Sequence, residues 1–194
     1  MTSGDFRSGK TGARLHGFPP AADANARVLI LGSMPSEASL AAHAYYAHPR
    51  NRFWPVMGVL LGFDPWQPYE ERLKALKANG IALWYTIESC ERAGSLDSAI
   101  ENQKPNDLGT FLNAHPLVTL VCLNGAMSAD MWQRYGAQQL DALRKEKLQT
   151  MKMPSTSPAN ARWRLDDLVR VWGEAIFPHL SSRILLSTER KAVA

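Results

Sequence analysis

Four short apolar runs, separated by stretches with helical spacing, constrain the fold of this chain more than any other feature. The runs are residues 28–31 (VLIL), 81–85 (IALWY), 117–123 (LVTLVCL) and 148–153 (LQTMKM). The first three are almost continuously apolar, as expected for parallel strands buried on both faces. Because strands that alternate with helices build a parallel sheet between helical layers, we expect a three-layer α/β/α sandwich around a mostly parallel four-stranded sheet.

Apolar residues recur at helical spacing between these runs and give five expected helices. Their expected bounds are 53–61, 69–78, 107–113 with Asn106 as N-cap, 126–135 and 165–177. Asn79-Gly80 follows the second helix and is typical of a helix C-terminus.

The length of 194 residues suits one domain with a full core. We expect that domain at residues 17–194, after a mobile polar leader at 1–16. The leader lacks the apolar segment of a secretory signal, and no apolar stretch is long enough to span a membrane. We therefore expect a monomeric, cytoplasmic protein with no membrane partner.

The formal charge of +4 and the pI near 9.2 are compatible with a polyanionic partner, although many basic proteins never bind nucleic acid. Cys90 and Cys122 lie far apart, and no Cys/His pattern has the spacing of a zinc site. We expect reduced cysteines, no metal and no cofactor.

The segments that follow the expected strands point to one site. They read GSMPSEAS continuing into YYAHPRNRFW, then TIESCERAGS, NGAMSA and PSTSPANA, and they are rich in small, amide and hydroxyl residues. Since ligands of open parallel sheets bind outside the carboxyl ends of the strands, we expect these segments to converge on a ligand.

Residues 45–54 (YYAHPRNRFW) combine rings, cations and an amide. Tyr45 and Tyr46 could stack on a planar ligand. Asn51 could orient a water molecule, or it could cap the helix that begins at residue 53. Phe53 and Trp54 are expected in the core on either interpretation.

The remaining segments allow two interpretations each. The hydroxyls of residues 155–157 (STS) could bind a phosphate at a helix N-terminus or cap that helix, and Arg162 and Arg164 on the following helix favour the phosphate. Asn124 could match a nucleobase edge or form an Asn-Gly turn. Gly32 permits a ligand close to the backbone, but GSMPS is not a nucleotide-binding fingerprint.

Taken together, GSMPS, YYAHPRNRFW, SCERAGSLDSAI, LNG and PSTSPANA resemble the uracil-DNA glycosylase superfamily, and within it the hypoxanthine-DNA glycosylase branch. The resemblance runs from about residue 17 to the last helix. The AHPxNRFW element is also similar to the mismatch-specific uracil and thymine glycosylases. The superfamily fold is an α/β/α sandwich with a parallel four-stranded sheet, as the pattern alone predicts.

The resemblance and the residue types together assign roles. Met34 stands where the mismatch-specific enzymes carry a water-activating Asn and other branches carry Asp. The resemblance to the hypoxanthine branch implies that Asn51 takes the catalytic role instead. The expected base contacts are Gly32, Ser33, Met34, Pro35, Tyr46 and Asn124. The expected DNA contacts are Arg50, Arg52, Ser155, Thr156, Ser157, Pro158, Asn160 and Arg162.

Tyr85 departs from the branch, whose second strand tends to read LWD where this chain reads LWY. An acidic contact near the base would therefore be lost, which bears on specificity for a purine. Other carboxylates expected nearby are Glu37, Glu88, Glu91 and Asp97. If Asn51 were only a cap, the catalytic group would be sought among His48, Glu88 and Asp97.

We expect a monofunctional DNA glycosylase that hydrolyses the N-glycosidic bond of a deaminated base, hypoxanthine above all, and leaves an abasic site for base excision repair. Such a reaction needs a flipped base and one positioned water rather than two carboxylates. The alternatives are uracil or xanthine as the base, a damaged-DNA-binding protein without turnover, and a hydrolase of small nucleotides.

Overall fold

The computed structural model describes residues 14–180 of the chain. Seven strands lie within that range: β1 Arg14–His16, β2 Val28–Gly32, β3 Ile81–Tyr85, β4 Ile87–Glu91, β5 Glu101–Pro105, β6 Leu120–Asn124 and β7 Gln149–Met153. The helices of the same range are α1 Glu37–Ala42, α2 Phe53–Leu61, α3 Tyr69–Ala78, α4 Leu108–Ala114, α5 Ala126–Met131, α6 Ala142–Lys147 and α7 Leu165–Ile176.

A four-stranded parallel sheet in the order β3-β2-β6-β7 forms the centre of the molecule. Its strands end level with one another, since Gly32 is paired with Tyr85 and Asn124 with Met153. The loops that follow all four strands therefore leave from the same edge.

Alternate residues of β2 enter two separate cores. Val28 and Ile30 pack in the core formed with α2 and α7, where Trp172 is fully buried. Leu29 and Leu31 face the opposite core, formed with α4. Helices thus pack on both faces of the sheet, and the predicted three-layer sandwich is confirmed. The sequence revealed it because strands buried on both faces need continuous apolar sequence.

A second, antiparallel sheet in the order β1-β4-β5 was not expected from the sequence. Its strand β4 lies within TIESCERAGS, which was predicted to be a loop, and only Thr86 separates it from β3. Its strand β1 includes residues assigned to the mobile leader, so Arg14–His16 belong to the fold. Residues 1–13 of that leader lie outside the described residues, as do residues 181–194 of the expected domain.

Several element boundaries differ from the sequence-based expectation. The third parallel strand begins at Leu120 rather than at residue 117, because residues 115–118 form a turn. Helix α4 is capped by Asp107, whose side chain accepts a hydrogen bond from Thr110 N–H at 2.9 Å, while Asn106 is buried and donates to the Tyr85 carbonyl.

The helix expected at 126–135 ends at Met131 and continues as a wider π-helical turn over Trp132–Gly136. Helices α1 and α6 were not expected. Helix α7 begins only at Leu165, so Arg162 lies in the preceding turn and not on the helix. None of the helices in the described range is long and apolar enough to cross a membrane.

Candidate functional site

A cavity of about 510 Å³ opens at the edge where the parallel strands end. Its volume falls in the usual range for ligand sites, and its position is the one expected for an open parallel sheet. Its walls come from residues 32–36, 39, 46, 48, 51, 85, 95–98, 124 and 155–160.

The connection between α1 and α2, residues 43–52, is here called the aromatic loop. Tyr45 N–H donates to the Tyr69 hydroxyl at 3.0 Å, and Ala47 N–H donates to the Ser39 hydroxyl at 3.2 Å. The indole N–H of Trp54 donates to the Tyr45 carbonyl at 2.9 Å. These three bonds join the loop to helices α1, α2 and α3, so it is held in one conformation.

The two tyrosines of the aromatic loop have different environments. Tyr45 is 3 % exposed, its hydroxyl donates to the Pro19 carbonyl, and its ring stacks on Tyr85 with centroids 4.8 Å apart. It is a core residue, so its predicted stacking on a ligand is wrong. Phe53 and Trp54 are core residues too, as expected.

Tyr46 contributes to the cavity wall. Its backbone has φ of 55°, which is uncommon for a residue other than glycine. Phe53 stacks on one face of the ring with a centroid distance of 3.9 Å, so a ligand could stack only on the other face. Burial raises the pKa of the Tyr46 phenol.

Asn51 lines the cavity and also supports a helix. Its Oδ1 accepts a hydrogen bond from Phe53 N–H at 2.9 Å, at the first residue of α2. One lone pair of Oδ1 remains, and Nδ2 has no hydrogen-bond partner within residues 14–180. Arg52 holds the N-cap position of α2, so Asn51 caps the first helical N–H from one residue before that position. Its amide hydrogens remain available to a ligand, so one amide can serve both roles.

Asn124, in contrast, has its amide largely occupied. Its Oδ1 accepts from Thr156 N–H, and its Nδ2 donates to the Thr156 hydroxyl, both at 3.0 Å. Nδ2 also donates to the Tyr46 hydroxyl at 3.3 Å. Both amide hydrogens are used, so Asn124 cannot present a donor–acceptor edge to a base in this arrangement. It joins β6 to the loop after β7.

That loop, residues 154–164, is here called the hydroxyl-rich loop, and Arg52 holds it from the side of the aromatic loop. The Arg52 guanidinium donates to the carbonyls of Ser157 and Asn160, each at 2.8 Å, and also to the Trp163 carbonyl. Arg52 N–H donates to the Thr156 carbonyl. The guanidinium is thus occupied by the protein's own carbonyls, which contradicts its expected role as a phosphate ligand.

Most hydroxyl and amide groups of the hydroxyl-rich loop make local bonds. Thr156 is fully buried, so it is not a DNA contact. The hydroxyls of Ser155 and Ser157 accept from the N–H groups of Ser157 and Ala159, and the Asn160 amide donates to the Ser155 carbonyl. None of these side chains caps α7, which begins at Leu165, so the expected capping role is wrong and the bonds stabilise the loop itself. The residues Ser155, Ser157, Pro158 and Asn160 also line the cavity.

Arg50 and Arg162 are exposed cations of the two loops, and Arg164 is a third. Neither the Arg50 nor the Arg162 side chain makes an ion pair or a hydrogen bond within the part of the chain that the structure describes. Arg50 belongs to the aromatic loop and Arg162 to the hydroxyl-rich loop, so both remain available to a polyanion beside the cavity.

Gly32 and Tyr85 fit against each other at the base of the cavity. A Cβ on Gly32 would lie 3.1 Å from Cδ1 of Tyr85 and 3.4 Å from the Tyr46 hydroxyl. Tyr85 is 2 % exposed. The ring thus fills the space that a side chain at position 32 would need.

Met34 is buried with Ile87, Cys90 and Met131, and its position supplies no polar group to the cavity. A carboxylate reaches the cavity from elsewhere: Asp97 lies on the short turn Asp97–Ala99 between β4 and β5. The cavity therefore contains an acidic group, Asp97, although position 85 is a tyrosine.

Ser33 donates its hydroxyl hydrogen to Asp97 Oδ1 at 2.6 Å. Burial raises the pKa of the Asp97 carboxyl, while the Ser33 hydroxyl and the nearby Arg92 guanidinium act in the opposite direction. Arg92 is 7 % exposed and donates to the carbonyls of Gly94 and Pro35, which ties the first loop to the segment after β4. Sequence reasoning missed Arg92, although it lies within the quoted SCERAGS stretch.

Within the described residues, no group of three or more His, Cys, Asp or Glu side chains is placed to hold a metal ion. The polar side chains that line the cavity are amides, hydroxyls, the His48 imidazole and the Asp97 carboxylate. Such a set can position water and read a planar polar ligand by hydrogen bonding.

A family model described as the uracil DNA glycosylase superfamily matches residues 19–175. The chain belongs to this superfamily. The family predicted from the sequence motifs is therefore confirmed.

Two relatives in this superfamily are named hypoxanthine DNA glycosylase. The protein from Methanosarcina acetivorans is 36 % identical over 164 residues, which is 84 % of this chain and 98 % of the relative. The protein from Methanosarcina barkeri is 39 % identical over 115 residues, or 59 % of this chain and 73 % of the relative.

The solution NMR structure of a putative uracil DNA glycosylase from Methanosarcina acetivorans is similar to the present one. It has a TM-score of 0.69 and 33 % identity, and the likeness covers 84 % of this chain and 98 % of that chain. The agreement extends the superfamily assignment to the three-dimensional fold.

Proposed function

We propose that this protein is a monofunctional DNA glycosylase that hydrolyses the N-glycosidic bond of a deaminated base in DNA, with hypoxanthine as its main substrate. One observation carries the proposal: a superfamily cavity whose wall combines the Tyr46 ring with the unoccupied amide hydrogens of Asn51. The names of both Methanosarcina relatives support hypoxanthine as the base.

The chemistry follows from what these groups can do. A base inside a duplex cannot enter a cavity, so the nucleotide must rotate out of the stack, and a ring such as Tyr46 can hold the extruded base. The bond to the sugar then breaks first, with its electron pair going to the base. A water molecule attacks C1′ of the sugar late, and the proton that it loses balances the charge of the departing base. An amide at Asn51 can hold that water without taking its proton, so catalysis rests on positioning.

The base and the turnover are tested together by a single-turnover panel. Duplexes that contain deoxyinosine, deoxyuridine or deoxyxanthosine are incubated with excess enzyme, and abasic sites are detected by strand cleavage in alkali. Fastest cleavage at deoxyinosine is the expected result, and fastest cleavage at another base would reassign the substrate.

Met34 supports one alternative, because it occupies the usual catalytic position and lacks a polar group. A damaged-DNA-binding protein without turnover would bind the deoxyinosine duplex tightly and form no abasic sites. Measuring binding by fluorescence anisotropy on the same duplexes separates the two functions.

A further inference from the structure

The bond between Ser33 and Asp97 makes one corner of the cavity unusual in its hydrogen-bonding character. The hydroxyl of Ser33 has a single hydrogen, and that hydrogen is donated to Asp97 Oδ1 at 2.6 Å. Ser33 can therefore offer only lone pairs to anything else in the cavity. Both residues line the cavity wall, and the catalytic proposal above uses neither.

Asp97 adds further acceptors at the same corner. As a carboxylate it has no hydrogen to donate. Burial raises the pKa of this carboxyl, and the hydrogen bond from Ser33 and the Arg92 cation oppose that effect by favouring the carboxylate. The Arg92 guanidinium donates to the carbonyls of Gly94 and Pro35, and it makes no ion pair with Asp97 among the described residues. The carboxylate oxygens of Asp97 are therefore not occupied by Arg92. The Ser33 hydroxyl and the Asp97 carboxylate thus present acceptors alone.

Deamination changes the hydrogen-bonding character of a base at its ring nitrogen. In adenine N1 is an acceptor, whereas in hypoxanthine the same nitrogen carries a hydrogen. Cytosine and uracil differ in the same way at N3. A pair of acceptors can accept a hydrogen bond from the ring N–H of hypoxanthine or uracil. In adenine or cytosine the same ring nitrogen carries a lone pair, which would be left without a donor and would be repelled by the acceptors.

We propose that Ser33 and Asp97 together accept the ring N–H that deamination creates, and that they thereby exclude adenine and cytosine from productive binding. The inference rests on the proposed glycosylase function and names specificity residues for it. Guanine and thymine also carry a ring N–H, so the pair distinguishes hypoxanthine from adenine and uracil from cytosine, and it does not distinguish xanthine from guanine.

The test measures binding to substrates that cannot be cleaved. Duplexes with 2′-fluoro-deoxyinosine or 2′-fluoro-deoxyadenosine opposite thymine are titrated by fluorescence anisotropy, and the ratio of the two dissociation constants gives the preference. The native protein should prefer the deoxyinosine duplex. Asp97→Asn keeps the shape of the side chain but adds an N–H donor that suits adenine N1, so the preference should fall by about tenfold or more.

Two further variants keep the test decisive. Ser33→Ala removes one acceptor without adding bulk, and it should also lower the preference. Asp107→Asn makes the same chemical change at a helix cap outside the cavity, and it should leave the preference unaltered.

An unchanged preference in folded Asp97→Asn and Ser33→Ala proteins would overturn the inference. So would a large loss of single-turnover rate at constant preference, because the pair would then act on the chemistry rather than on recognition. The proposed function fails separately, through a native protein that releases no hypoxanthine from deoxyinosine duplexes.

Discussion

At the scale of single residues, the Asn51 amide has two roles, a hydrogen bond to the start of α2 and the proposed positioning of the water, and substitutions can separate them. Ser and Asp can both still accept the bond from Phe53 N–H, so Asn51→Ser and Asn51→Asp should remain as stable as the native protein. Ser is too short to hold a water at the same place, so the excision rate should fall by about a hundredfold or more. Single-turnover excision and urea unfolding measure the two properties.

Asp at position 51 gives the complementary result. A carboxylate can accept the proton of the water, so Asn51→Asp should keep activity and can widen the range of released bases. A folded Asn51→Ser protein with near-native hypoxanthine release would leave Asn51 as a cap, and Asp97 and His48 would then be the cavity groups to test.

Tyr46 is expected to act through its ring. Tyr46→Phe retains the face opposite Phe53 and loses only the long bond from Asn124, so most of the base affinity should remain. Tyr46→Ala should weaken binding of the extruded base by about 1–3 kcal/mol. Equal damage from Phe and Ala, measured as dissociation constants on the uncleavable duplex, would show that the hydroxyl matters and not the ring.

At the scale of elements, the Arg52 side chain connects the aromatic loop with the hydroxyl-rich loop. Its three carbonyl acceptors diverge, so the single ammonium of lysine cannot replace the guanidinium. Arg52→Ala and Arg52→Lys should each lower the free energy of unfolding by about 2 kcal/mol and speed hydrogen exchange in residues 154–164.

Arg50→Ala is the matched control for that change. Arg50 lies two residues away in the same loop, is exposed and has no side-chain partner in the described part of the molecule. Its removal should change the free energy of unfolding by less than about 0.5 kcal/mol. Similar destabilisation by both substitutions would mean that the bonds of Arg52 do not hold the loop.

At the scale of the whole molecule, Arg50 and Arg162 place positive charge on two of the loops that frame the cavity. If each contacts one phosphate, its replacement by alanine should reduce the slope of log K against log salt by about one and weaken binding to all sequences alike. Lys74 on α3 is paired with Glu71, and Lys74→Ala serves as the control. Unchanged slopes for both arginines would place the basic DNA surface elsewhere.

The sequence predicted the central sheet because burial on both faces leaves a visible pattern. Residues 28–32 and 120–124 are apolar at nearly every position, and both form parallel strands. The second sheet has no such pattern, since β5 reads ENQKP and is mostly exposed. Strand β1 pairs with β4, which lies far along the chain, and the pairing of β4 with β5 is irregular in register, so neither pairing leaves a pattern in the sequence.

The site was predictable at the level of loops but not at the level of atoms. The motifs identified the segments that line the cavity. Whether a side-chain amide is free to bind a ligand depends on contacts across the fold. The Asn124 amide is hydrogen-bonded to Thr156, whereas within residues 14–180 only the oxygen of the Asn51 amide is bonded and its N–H groups are free. The guanidinium of Arg52 is directed inward for the same reason, by carbonyls more than a hundred residues away.

The close fit of Gly32 against Tyr85 has a consequence for how such chains diverge. A Cβ at position 32 would lie 3.1 Å from the Tyr85 ring, so the two positions cannot enlarge independently. A side chain at position 32 therefore requires the ring at position 85 to shift or to be replaced by a smaller residue. Homologous chains should therefore show either a small residue at 32 with any residue at 85, or a larger residue at 32 with a small one at 85. Chains with large residues at both position 32 and position 85 should be absent.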